Sequence, residues 1–117
     1  MGQIQLYFTS EFKRNIRQLA KKYRHIREDI QLLFDQLLVG ETPGDQVQQA
    51  GYTVFKVRVN NSDSNKGKRS GYRVIYYLQT PQAVILVTIY SKTEQSDIPS
   101  ATIRRLIDEY INQSNDK

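Results

Sequence analysis

The chain has 117 residues, 38% of them hydrophobic, with eight Tyr and four Phe, enough apolar material for a single core, so one domain spanning 1–117 is expected. It has no Cys and one His, which excludes disulfide and thiolate chemistry; with no clustered carboxylate spacing either, no metal or other cofactor is expected. The formal net charge is +5, and all of it falls within the eighteen residues from Lys56 to Arg73, where six cations meet one anion, Asp63, while eleven cations and eleven acidic residues cancel elsewhere. Positive charge gathered into one stretch that straddles strand-like runs points to a polyanionic partner and to a nucleic-acid site rather than a loose basic tail.

The N-terminal residues Met1-Gly2-Gln3-Ile4-Gln5-Leu6 have neither the basic start nor the apolar core of a secretory leader. The longest apolar run, Ala83–Val87, is far too short to cross a bilayer. A cytoplasmic location without membrane contact is therefore expected.

In chain order, Ile4 to Phe8 is a short β-prone run ended by Thr9 and Ser10, with Ser10 as the expected helix cap. Phe12, Ile16, Leu19 and Tyr23 recur at steps of four, three and four and predict a helix whose other faces carry Lys13, Arg14, Arg17, Lys21 and Lys22. Ile26, Ile30, Leu33, Phe34, Leu37 and Leu38 predict a second helix, stopped by Gly40 and the turn at Thr42-Pro43-Gly44. The two form a helical hairpin, with His25 between them in a surface or hinge role.

After a polar linker, Tyr52 to Val59 reads as a strand with Phe55, Val57 and Val59 on one face and Val54, Lys56 and Arg58 on the other. Asn60 to Gly71 is a loop, Tyr72 to Gln79 a second strand, Thr80-Pro81-Gln82 a turn, and Val84 to Ser91 a third, central strand. Short connections imply an antiparallel meander. Pro99 and Ser100 open a last helix carrying Ile103, Leu106, Ile107, Tyr110 and Ile111. The expected fold is α+β, a small twisted antiparallel sheet with a helical hairpin on one face, in the order β-α-α-β-β-β-α, with Lys56 and Arg58 projecting from the other face.

Three stretches carry a resemblance: Phe55-Lys56-Val57-Arg58-Val59, then Gly67-Lys68-Arg69-Ser70-Gly71-Tyr72-Arg73-Val74-Ile75-Tyr76-Tyr77, then Thr88-Ile89-Tyr90-Ser91-Lys92-Thr93-Glu94 through Ser96-Asp97-Ile98. In this order and spacing they resemble the RelE/ParE superfamily of bacterial toxins, most closely its HigB-like branch, and the element order agrees over essentially the full length. The resemblance implies an intracellular toxin of a type II toxin–antitoxin pair. RelE-like members cut messenger RNA in the ribosomal A site, whereas ParE-like members inhibit DNA gyrase. It implies the ribosome and its RNA, the messenger and a cognate antitoxin as partners. The family's basic site residues fall on Lys56, Arg58, Arg73 and Lys92. A Tyr that RelE uses near its C-terminal helix has no counterpart, since Ile98 and Pro99 stand there, and no His is available near the site.

Metal-free RNA cleavage proceeds by attack of the 2′-hydroxyl on the adjacent phosphate and needs a base, cations on the phosphorane and an acid for the leaving 5′-oxygen. Arg58 and Arg73 suit the phosphorane because a planar guanidinium binds two oxygens and keeps its charge. Lys56 and Lys92 are the candidate bases, each reasoned to be crowded by other cations, and Glu94 is a weaker one. Lys92 or Tyr90 supplies the leaving-group proton. Lys66, Lys68, Arg69 and Tyr90 are candidates for RNA or ribosome contact, the loop lysines equally for plain solvation. Tyr72, Tyr76 and Tyr77 fit either base stacking or core packing, the core being favoured for Tyr76. Cross-strand acidic partners for the strand cations are expected to be absent. The alternatives to a ribosome-dependent endonuclease are a ParE-like gyrase inhibitor and a non-catalytic RNA-binding module.

Overall fold

The computed structural model describes residues 3–64 and 71–115. Its elements are β1 (Gln5–Phe8), α1 (Ser10–Lys22), α2 (Ile26–Leu38), β2 (Asp45–Gln46), β3 (Val54–Val59), β4 (Tyr72–Thr80), β5 (Ala83–Ser91) and α3 (Ser100–Asn115). The strands make one sheet in the order β1-β5-β4-β3-β2. The fold is α+β, and the predicted meander is β3-β4-β5, antiparallel throughout.

Two features correct the expected topology. The sheet is mixed, because β1 pairs with β5 in parallel, Gln5 opposite Ala83 and Phe8 opposite Leu86. Short connections dictate antiparallel pairing only between strands adjacent in sequence, and the helical hairpin and most of the sheet separate β1 from β5. The polar linker also contains β2, antiparallel to β3 with Asp45 opposite Lys56. Gly44 admits it: its φ is +96°, and a Cβ there would lie 2.4 Å from the Lys56 carbonyl oxygen.

The sheet is covered on both faces. The stripes of α1 and α2 (Phe12, Ile16, Leu19, Ile26, Ile30, Leu33, Leu37) pack on Val59, Tyr72, Val74, Tyr76, Leu86 and Ile89, with Phe55 and Val57 at the margin. On the opposite face Ile103, Leu106 and Ile107 of α3 pack on Val54, Ile75 and Val87. The strand alternation of β3 is therefore as expected, and α3 shields part of the face that carries Lys56 and Arg58. Burial of each large aliphatic side chain contributes roughly 1.5–3 kcal/mol, so these two clusters dominate the stability.

The caps differ in detail from expectation. Thr9, not Ser10, caps α1: its Oγ1 accepts from the Phe12 amide at 3.0 Å and donates to the Val87 carbonyl at 2.6 Å, tying the helix start to the central strand. His25 caps α2 through its backbone position, and its amide and Nδ1 meet the two oxygens of Asp63 at 2.8 and 2.7 Å. The expected surface role of His25 holds. Among the described residues no helix is long and apolar enough to cross a membrane.

Candidate active site

Strand pairing builds the cation face. Arg58 on β3 lies directly opposite Arg73 on β4, and Arg73 lies opposite Tyr90 on β5. Lys56, two residues before Arg58, shares that face by strand alternation. Arg58 is exposed and makes no hydrogen bond or ion pair among the described residues. Arg73 is half-buried, and its Nη1 donates to the Gly71 and Tyr72 carbonyls at 3.5 and 3.4 Å, which lays the guanidinium along its own strand. Burial, and then the neighbouring charge of Arg58, pull the Arg73 guanidinium below its ordinary value. Two arginines held face to face repel each other unless an anion lies between or beside them.

The acid that reaches this face comes from the loop after β5. Asp97 Oδ1 accepts from Lys56 Nζ, from the Tyr90 hydroxyl and from the Ile98 amide, each at 3.1 Å. The Lys56 hydrogen bond is the main cause that holds the Asp97 carboxyl below its usual range. The expectation that the strand cations lack acidic partners is therefore corrected for Lys56, which pairs with Asp97 in space and with Asp45 in register. The linker around Asp45 has no strand periodicity, and Asp97 sits in a loop whose path depends on how α3 docks. The crowding argument for Lys56 as a base consequently does not apply to it.

Lys92 follows β5 and donates from Nζ to the Ser96 carbonyl within the same loop, while its amide donates to the Gly71 carbonyl at 3.1 Å. It borders the cation face rather than lying within it. Lys56 lines a hollow of about 380 Å³ with Asp45, Gln48, Asp97 and Ser100, and Arg58 lines a different one of about 270 Å³ with Glu28, Asp29 and Leu32. Lys56, Arg58 and Arg73 therefore share one face of β3 and β4 by register but not one hollow, and Arg73 is half-buried.

Several candidates are placed elsewhere. Tyr90 is only 5% exposed, so its ring is not available to stack on a base, and its hydroxyl donates to Asp97. Burial, then the bond to Asp97, push that hydroxyl up to about 12, which makes it a weaker proton donor. Tyr72 and Tyr76 are fully buried in the hairpin-side core and are excluded from stacking, and Tyr77 packs on Tyr52 with ring centroids 5.0 Å apart. Glu94 is drawn to the α1 side, where it accepts from Lys22 Nζ at 2.9 Å and from the Tyr23 hydroxyl at 3.3 Å, away from the cations. Lys66, Lys68 and Arg69 lie outside the described residues. Among the described residues no group of three or more His, Asp or Glu is arranged to hold a metal ion.

No known protein-family model matches this chain.

Proposed function

We propose that this chain is a RelE-like toxin of a type II toxin–antitoxin system, a cytoplasmic, ribosome-dependent endonuclease that cuts messenger RNA in the A site. The observation that carries the reading is the direct opposition of exposed Arg58 and half-buried Arg73 across β3 and β4, an arrangement that a bound phosphodiester relieves.

In this reading the two guanidinium groups take the non-bridging oxygens of the scissile phosphate and stabilise the charge that builds as the 2′-oxygen attacks. Lys56, steadied by Asp97, holds the adjacent phosphate. As the P–O5′ bond breaks, Lys92, whose amine rests on a loop carbonyl, gives a proton to the leaving 5′-oxygen, and the 2′-hydroxyl proton passes to water. With no strong base in the set, catalysis is slow on free RNA and depends on the ribosome to align the 2′-hydroxyl. The ribosomal RNA and a cognate antitoxin complete the partners.

Primer extension on RNA isolated after induced expression tests this. New 5′ ends inside codons, lost in the Arg73→Ala variant, support the reading. Growth arrest with an SOS response and no new ends replaces it with gyrase inhibition, and RNA binding without any cleavage replaces it with a non-catalytic module.

A further inference from the structure

The start of β4 meets the end of β3 at a glycine. Gly71 is buried, and a Cβ placed on it would lie 2.4 Å from the Val59 carbonyl oxygen and 3.3 Å from the Val59 carbonyl carbon. Real Cβ atoms essentially never come within 3.0 Å of such a neighbour. Gly71 does not share the left-handed φ of Gly40, Gly44 and Gly51, so this position requires a glycine for space and not for conformation. The close approach adjoins the pairs Val59–Tyr72 and Arg58–Arg73, where the ladder sets the two guanidinium groups opposite each other.

The Gly71 carbonyl joins the third strand to this point. It accepts the Lys92 amide at 3.1 Å, one step beyond the Tyr72–Ser91 pair, and it accepts Arg73 Nη1 at 3.5 Å. A single peptide group thus holds the backbone of Lys92 and the side chain of Arg73, while its glycine abuts the residue that follows Arg58. The contact atoms on both sides are backbone, so a side chain at 71 cannot be accommodated by a change of rotamer. Tyr72, the next residue, is fully buried and keeps β4 from swinging away. Displacement therefore falls on the peptide between residues 71 and 72, and a close-packed interior passes it on.

We infer that Gly71 is a positioning residue for messenger RNA cleavage: its lack of a side chain sets the spacing of Arg58, Arg73 and Lys92 around the scissile phosphate. The inference rests on the nuclease reading and adds to it a residue that acts through its neighbours. The long bond from Arg73 to the Gly71 carbonyl is weak enough to yield to a phosphate oxygen. The contact with Val59 is not, because no other arrangement of the two backbones relieves it. Misplacement of reacting groups by about 1 Å costs about 10²-fold in rate, and a methyl group at 71 forces a shift approaching that size.

The test compares Gly71→Ala with Gly40→Ala in the full chain, on ribosomes programmed with a defined message. Gly40→Ala is the control for lost stability: it strains a φ of +91° at the end of α2, and its Cβ meets only Ile4 Cδ1 at 3.8 Å. In Gly71→Ala, kcat and kcat/KM are expected to fall together by about 10- to 10²-fold, leaving half-saturation by ribosomes in place. Its loss is expected not to add to that of Arg73→Ala in the double variant, as for residues acting through one group. The guanidinium resonances of Arg58 and Arg73 and the Lys92 amide resonance are expected to move in Gly71→Ala and to stay in Gly40→Ala. Should Gly71→Ala not fold, a backbone ester at residue 92, which lacks the amide that reaches the Gly71 carbonyl, carries the test with an expected fall of about five- to tenfold. Full activity in either variant, additivity with Arg73→Ala, or an equal loss in Gly40→Ala overturns the inference. A native chain that cuts no message on ribosomes overturns the nuclease reading first, whereas a native chain that cuts and an equally active Gly71→Ala overturn this inference alone.

Discussion

Arg58 and Arg73 are cross-strand partners on β3 and β4, and the carboxylate of Asp97 acts on Arg73 from beside the pair. Like charges in that position destabilise a sheet by about 0.2–1 kcal/mol. Arg58→Gln is therefore expected to raise unfolding stability by up to about 1 kcal/mol in denaturant titrations, while lowering messenger RNA cleavage on ribosomes by about 10²–10³-fold. A variant that loses both stability and activity points to a structural arginine and removes the argument from opposed charge.

Asp97 tempers this face through Lys56 and Tyr90. Asp97→Asn is expected to tighten RNA binding and to steepen the log–log salt dependence by about 0.7, the share of one further phosphate contact on a single strand. Binding isotherms at several salt concentrations measure it, and an unchanged slope means that Lys56 never meets phosphate. The depressed folded-state value of Asp97 contributes stability that is present above the ordinary carboxylate range and lost as pH falls through the folded value. The pair is largely solvated, so the contribution stays below about 1 kcal/mol.

His25 and Asp63 clasp the α1–α2 turn to the loop after β3. Asp63 raises the His25 imidazole, chiefly by the side-chain hydrogen bond, and the His25 amide and ring in turn lower Asp63. For a raised histidine the linked stability is complete below about 6.5 and fades as pH rises through the folded value; for a lowered aspartate it fades as pH falls below about 3.9. The clasp is thus tightest between those limits. Amide exchange at Ser62 and Asp63 should quicken, relative to the intrinsic rate, as pH rises above neutrality, and His25→Asn should flatten that dependence.

Two buried tyrosines separate hydrogen bonding from packing. The Tyr76 hydroxyl donates to the Pro43 carbonyl, whereas the Tyr72 hydroxyl is buried without a partner among the described residues. Tyr76→Phe is expected to cost about 1 kcal/mol, and Tyr72→Phe to be neutral or to stabilise by about 1 kcal/mol. Thermal unfolding of the two variants measures the contrast. Equal losses would show that the Tyr72 hydroxyl is satisfied.

Local periodicity decided much of this molecule. The stripe Phe12-Ile16-Leu19, the alternation of Phe55, Val57 and Val59 against Lys56 and Arg58, and the turn at Pro81 were readable because a helix or a strand imposes its period on residues close in sequence. Those periods also put Lys56 and Arg58 on one face, and the short turn after β4 made β5 its antiparallel neighbour. Contacts between distant segments have no such imprint. Parallel pairing of β1 with β5, the two-residue β2 opposite Lys56, the burial of Tyr90 and the arrival of Asp97 at the cation face depend on how separate elements dock. Composition placed the positive charge in one stretch; only the folded sheet set two of its arginines face to face and gave its first lysine a carboxylate.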